Sequence, residues 1–180
     1  MAAVIGFPPI ATERASVLIL GSMPGIASLA AGEYYAHPRN QFWPIICALL
    51  QIDRLSSYDD RRNALNIYGI AVWDVIQACT RDGSLDSAID KNSVVPNDFH
   101  SFFDQHQSIR RVFFNGATAE KLFHRHYPTN SLDGRGDVRF YTRLPSTSPA
   151  HAALSLEQKL AAWKAVTNAT GVNPKLSKFE

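Results

Sequence analysis

The chain reads as an α/β fold, a single domain built on a central, mainly parallel four-stranded sheet with helices on both faces, and three observations predict it. Short runs dense in Val, Ile, Leu and Phe recur at 15–22, 70–76 and 111–115, and 139–144 (RFYTRL) reads as a fourth strand. Segments with apolar residues at helical spacing lie between them. The first run is apolar at every position from Val17 to Leu20, which suits a strand covered on both faces. A length of 180 residues corresponds to about one domain. A chain of that size buries about 70% of its unfolded surface and needs no disulfide or structural metal to hold it.

The elements follow in order. After a Pro-containing lead, the strand 15–22 (ASVLILGS) is bounded by Gly21 and Pro24. In 41–52 (QFWPIICALLQI), Phe42, Ile45, Ile46, Leu49 and Leu50 fall on one helical face, and Pro44 is tolerable only in a first turn, so the helix starts near Phe42. A polar-faced helix over 59–68 closes at Gly69, ahead of the strand 70–76 (IAVWDVI). A helix over 98–106 precedes the strand 111–115 (RVFFN), which ends at Gly116. The helix 117–127 stops before Pro128, and 139–144 is the fourth strand. The closing helix 155–167 has Ser155 as its cap, and 172–180 reads as a flexible tail.

Composition excludes several classes. Eighteen basic residues against 16 acidic ones leave a net charge of +2, so any hold on a polyanion must come from a local patch. With 46% hydrophobic and 19% charged residues the chain is globular rather than disordered. Cys47 and Cys79 both sit in apolar surroundings and read as reduced core thiols; two cysteines cannot supply a four-cysteine zinc or iron–sulfur site. His124 and His126 are two apart, on different faces of their helix, and make no metal site. Asp59, Asp60, Asp82, Asp86 and Asp90 read as solvated helix-start and loop charges. Apolar runs far shorter than the ~20 residues of a membrane span, and a start without a basic segment leading into an apolar one, set the expectation of a soluble, cytoplasmic monomer with no membrane partner.

In open α/β sheets ligands gather at the carboxyl ends of the strands, and three such ends carry candidate chemistry. The first is GSMPG at 21–25, a turn that brings backbone N–H groups close to a ligand. It is not a P-loop, since no Lys-Ser/Thr follows, and it lacks the third glycine of a dinucleotide fingerprint, so nucleotide cofactors are not expected. The next stretch, 33–43 (EYYAHPRNQFW), combines aromatics with Asn40 and Arg39, the groups needed to stack a planar base, bond its edge and hold a phosphate. Phe42 and Trp43 read better as anchors of the helix to the sheet; Tyr35 and Asn40, on a loop held open by Pro38, read better as site residues. The third is 145–152 (PSTSPAHA), where Ser146, Thr147 and Ser148 form a hydroxyl-rich turn with His151 beyond it.

Together these segments resemble the uracil-DNA glycosylase superfamily, and most closely its hypoxanthine-DNA glycosylase branch, family 6. GSMPG with YYAHPRNQFW resembles the first motif region, FFNGATAEKLF (113–123) the central strand–helix segment and LPSTSPAHA (144–152) the second motif, a likeness spanning 17–163. The resemblance implies hydrolysis of the N-glycosylic bond of deaminated bases, hypoxanthine and as a second substrate uracil, in double-stranded DNA, with no cofactor and no metal. It implies that Asn40 is the catalytic amide, that Ser22 stands where the wider superfamily usually carries the water-positioning Asn or Asp, and that His151 belongs to the leaving-group and DNA-contacting motif. Tyr35, with Met23, Pro24, Gly25, Phe42 and Asn115, is then the base-binding set. Arg39, Ser146, Thr147, Ser148, Ala150 and Ala152 face DNA, the stretch 151–154 (HAAL) fills the gap left by the extruded base, and Lys121, Arg135, Arg139 and Arg143 are candidate phosphate contacts.

The residue types fit such a reaction. The sugar gains oxocarbenium character and the departing base gains negative charge, so a held water and preorganised donors are both required. Neither the first nor the second motif holds a lysine that could form a Schiff base, so strand cleavage is not expected. Two other readings stay open: a serine hydrolase using Ser22 and His151 with Asp74 as orienter, and a non-catalytic nucleic-acid-binding module of the same fold.

Overall fold

The computed structural model describes residues 2–128 and 139–171. Its elements run β1 (Ala2–Ile5), β2 (Val17–Gly21), α1 (Ile26–Ala31), α2 (Phe42–Leu50), α3 (Tyr58–Ile67), β3 (Ile70–Asp74) and β4 (Ile76–Arg81). The second half adds β5 (Val95–Pro96), α4 (Phe99–Gln105), β6 (Arg111–Asn115), α5 (Ala117–His126), β7 (Phe140–Leu144) and α6 (Leu156–Thr170). Arg135 and the stretch 172–180 lie outside the described residues.

Four strands form one all-parallel sheet in the order β3-β2-β6-β7. Every residue of β2 and of β3 is buried, so side chains alternating to the two faces are covered on both, as the unbroken apolar run predicted. Register places Gly21 beside Asp74, and Asn115 beside Leu144. All four carboxyl ends therefore share one edge, and the loops that follow them meet there.

One expected strand divides in two. The run 70–76 stops as β3 at Asp74, because Val75 N donates to Gly21 O at 2.9 Å and Ile76 N to Ser22 O at 3.0 Å, bending the chain across the end of β2. Ile76 then opens β4, the middle strand of a second, antiparallel sheet in the order β1-β4-β5. Neither this small sheet nor α1 shows in the sequence pattern. β1 and β5 are too short to show a period, and α1 is a six-residue turn closed by Gly32 in the left-handed region, φ 68°.

Three helices start at side-chain caps. Ser57 accepts from Asp60 N at 3.1 Å and Asp98 from Ser101 N at 3.0 Å, while Ser155 and Gln158 form a reciprocal capping box. On α6, Trp163 is fully buried; its ring meets Phe42 of α2 edge-on at 5.9 Å, and its Nε1 donates to Pro145 O at 2.9 Å. The closing helix thereby pins the chain as it leaves β7. Cys47 and Cys79 are buried free thiols, both pushed up by burial. No described helix is long and apolar enough to cross a membrane.

Candidate active site

A cavity of about 620 Å³ opens at the carboxyl edge of the parallel sheet. Its walls are the turn 21–25 after β2, Tyr34, Tyr35, His37, Arg39 and Asn40 from the loop before α2, Asp74 at the end of β3, and the segments 84–87, 115–118 and 146–151. The three stretches singled out from sequence thus meet around one space, of the size that small-ligand sites occupy.

Tyr35 forms the aromatic wall. Its backbone is left-handed, φ 57°, an uncommon conformation for a non-glycine residue, and its ring stacks on Phe42 at 3.9 Å with 22° between planes. Phe42 is fully buried behind it and is absent from the cavity lining, so its assignment as a base contact is corrected: it is a backing plate and helix anchor. Trp43 is an anchor too, its Nε1 donating to Tyr34 O at 2.7 Å.

Asn40 is oriented by the start of α2. Its Oδ1 accepts from Phe42 N at 2.9 Å, satisfying a helix-terminal donor and fixing which end of the amide is the carbonyl. A second lone pair on that oxygen remains for a water.

The floor is tight at Gly21. A Cβ there would lie 2.3 Å from Asp74 Oδ1 and 2.9 Å from the Tyr35 hydroxyl. Asp74 is 3% exposed, and its Oδ2 is buried with no hydrogen-bond partner. Burial first, then the negative charge of Asp86, push its carboxyl up to about 7, against the pull of Arg81. Burial also raises the Tyr35 phenol, with the charge of Asp74 adding to the shift.

The Ser22 hydroxyl is bonded to a carboxylate rather than to an imidazole nitrogen. It donates to Asp86 Oδ1 at 2.8 Å, so the serine-hydrolase arrangement with His151 as base is not assembled. The reading of Asp86 as a solvated loop charge is also corrected: it lies in a 3-10 turn over Asp86–Ala88, lines the cavity and has its pKa raised by burial. Behind the turn 21–25, Arg81 is 2% exposed and donates to Pro24 O. Met23 packs with Ile76 and Cys79 in a small apolar cluster beneath the same turn.

The loop after β7 is held from inside. Asn115 Nδ2 donates to Thr147 Oγ1 at 2.9 Å, and Thr147 N donates to Asn115 Oδ1 at 2.8 Å. Thr147 is fully buried, so its hydroxyl is a lock rather than a phosphate contact; Asn115 forms the other half of that lock and also lies beside the Tyr35 phenol. Ser146 and Ser148 stay partly exposed, their hydroxyls accepting from Ser148 N and Ala150 N. Ala150, His151 and Ala152 are exposed; Ala152 is outside the cavity lining. Lys159, 2% exposed on α6, donates to His151 O at 2.8 Å and so supports this rim, with its pKa lowered by burial.

The candidate phosphate contacts separate. Arg39 lines the cavity and is exposed, and Lys121 is exposed on α5. Arg139 precedes β7, at the opposite edge of the sheet, and its guanidinium lies 4.2 Å from the Phe103 ring centroid; that assignment is corrected to a packing role. Arg143 forms an ion pair with Glu120 at 3.2 Å. Sequence reasoning missed Asp86, which lines the cavity, and Arg81 and Lys159, which support its walls from behind. Nothing local marks a buried charge whose partners come from distant segments, and the short spacing of Asp82, Asp86 and Asp90 is the one signal that draws notice to the first.

Three comparisons bear on this geometry. The model of the Uracil DNA glycosylase superfamily matches residues 8–169. A protein named Hypoxanthine DNA glycosylase from Methanosarcina acetivorans is 32% identical over 163 residues, covering 89% of this chain and 96% of that protein. One of the same name from Methanosarcina barkeri is 38% identical over 112 residues, 62% of this chain and 70% of that one. A solution NMR structure of a candidate uracil DNA glycosylase from M. acetivorans superposes with a TM-score of 0.77 at 29% identity, covering 95% of this chain and all of that one.

Proposed function

The chain belongs to the uracil-DNA glycosylase superfamily, and from that premise we propose that it hydrolyses the N-glycosylic bond of deaminated bases in double-stranded DNA, hypoxanthine foremost and uracil second, leaving an abasic site in an uncut strand. The observation that carries this reading is one pairing in the cavity: the Tyr35 ring, backed by Phe42, lines the same space as an Asn40 carboxamide whose carbonyl is fixed by the helix that follows. Two relatives bearing the name Hypoxanthine DNA glycosylase support it.

The target bond lies inside a duplex, so the nucleotide must rotate out, at a cost of a few kcal/mol that is least for weakened pairs such as those of deaminated bases. Stacking on Tyr35 returns about 1–3 kcal/mol. As the bond lengthens, Asn40 Oδ1 holds a water on the anomeric carbon. Donors of the turn 21–25 and of the His151 rim meet the charge on the departing base, each worth about 10²–10³ in rate.

The test is a panel of labelled duplexes carrying deoxyinosine, deoxyuridine or deoxyxanthosine, incubated with the protein and then treated with alkali. Strand scission at the modified position, only after alkali, is the expected result. Asn40→Ala is expected to abolish it while a gel shift still shows binding. Intact duplexes with the unmodified chain would overturn the reading.

A further inference from the structure

We propose that Asp86 is a positioning residue that acts through Ser22, fixing the serine hydroxyl as an acceptor for the attacking water opposite Asn40. The inference rests on the glycosylase reading and deepens it.

A hydroxyl has one proton. Ser22 spends it on Asp86 Oδ1 at 2.8 Å, which leaves only lone pairs on Oγ for whatever occupies the cavity. Asn40 Oδ1 is likewise an acceptor, its orientation set by Phe42 N. A water between two acceptors points both of its hydrogens at them and turns its own lone pair outward, toward an electrophilic carbon. Attack then forms the bond from water oxygen to the anomeric carbon, while the glycosylic bond breaks and its electron pair leaves with the base. One water proton passes to solvent and the base nitrogen recovers a proton from solvent.

Segment 81–87 is built onto the turn it serves. Besides the Ser22–Asp86 bond, Ser84 Oγ accepts from Ile26 N at 2.9 Å and Arg81 donates to Pro24 O. Asp86 is faced by Ser22 from the turn after β2, Arg81 from β4, Thr118 from α5, His151 from the loop after β7 and Asp74 from β3, with His37 and Arg39 lining the same cavity. Burial raises its pKa, while the Ser22 and Thr118 hydrogen bonds and the Arg81 charge favour the anion. Protonation of Asp86 weakens its hold on the serine proton, so excision acquires an acid limb above the usual aspartate range.

The test measures single-turnover excision of hypoxanthine from pH 5 to 9 for the full chain and for Ser22→Ala, Asp86→Ala, Ser22→Ala/Asp86→Ala, Asp86→Asn and Asp74→Asn, with thermal melts to check folding. Ser22→Ala and Asp86→Ala are each expected to lose about 10²-fold at pH 7.5, and the double variant no more than either alone. Asp86→Asn, whose amide oxygen still accepts from Ser22, is expected to stay within about tenfold of the unmodified chain and to lack the acid limb. Asp74→Asn is expected to retain that limb. Losses that multiply in the double variant, full activity in Asp86→Ala, or an acid limb untouched by Asp86→Asn would each overturn the proposal while leaving the glycosylase reading in place. An unmodified chain that excises nothing overturns both.

Discussion

Asn115 and Thr147 hold each other by two hydrogen bonds, Nδ2 to Oγ1 at 2.9 Å and Thr147 N to Asn115 Oδ1 at 2.8 Å. The pair joins the carboxyl end of β6 to the loop after β7, so the His151 rim stands at a fixed height over the sheet. Trp163 Nε1 on Pro145 O and Lys159 Nζ on His151 O tie the same loop to α6.

Removing one half of the pair exposes its worth. Asn115→Ala leaves the fully buried Thr147 with an N–H and a hydroxyl that have lost their partner, at about 1–3 kcal/mol for each buried group left unsatisfied. Urea unfolding is expected to show that loss, and single-turnover excision is expected to fall as the rim loosens. An unfolding midpoint equal to that of the unmodified chain would refute the lock.

Gly21→Ala tests the floor by steric demand alone, since the backbone there is ordinary strand. The new methyl would stand 2.3 Å from Asp74 Oδ1 and 2.9 Å from the Tyr35 hydroxyl, both of which line the cavity. Displacing either by about 1 Å is expected to lower excision about 10²-fold or more, with the far-ultraviolet circular dichroism unchanged. Unaltered rates would mean that the floor yields freely and that neither group needs its place.

Much of the scaffold is legible in the sequence because apolar runs bounded by Gly and Pro carry their own signal. β6 lies where that signal puts it, and α2, α3, α4, α5 and β7 are offset by one or two residues at their ends. What stays hidden is tertiary. Val75 reads as strand interior, yet Gly21 O captures its N–H and the chain passes to another sheet. In the site, Tyr35 and Asn40 are legible from a Pro-held loop too polar and aromatic for a helix stripe. Thr147 reads as a phosphate contact because three adjacent hydroxyls look alike until one of them turns inward. Asp86 reads as solvent-facing because its partners Ser22 and Thr118 are 64 and 32 residues away in the chain.

Tyr35→Ala is expected to weaken binding of a deoxyinosine duplex through loss of the stacking wall, by about 1–3 kcal/mol or roughly 5–150-fold in Kd. The ring is supported by Phe42 at 3.9 Å, so Tyr35→Phe keeps the stack and is expected to stay near the unmodified affinity. Fluorescence anisotropy at fixed salt checks both. An Ala variant that binds as tightly as the Phe variant would remove Tyr35 from base recognition.

Asp74 makes stability depend on pH in a direction opposite to that of an ordinary ion-paired aspartate. Its folded pKa of about 7 lies above the unfolded value of 3.8, so the folded chain binds a proton that the unfolded chain releases across that interval. The contribution of Asp74 to stability is therefore greatest at the acid end, declines as pH rises through about 4 to 7, and levels off above. The difference corresponds to a few kcal/mol at most, at about 1.4 kcal/mol for each tenfold change in proton affinity. Asp74→Asn removes the titration, so its thermal midpoint is expected to exceed that of the unmodified chain at pH 8, with the gap closing toward pH 5. Parallel melts across that range check it. A variant that melts below the unmodified chain at pH 8, with that gap closing toward acid pH, would show the carboxyl to be held as an anion by Arg81 instead.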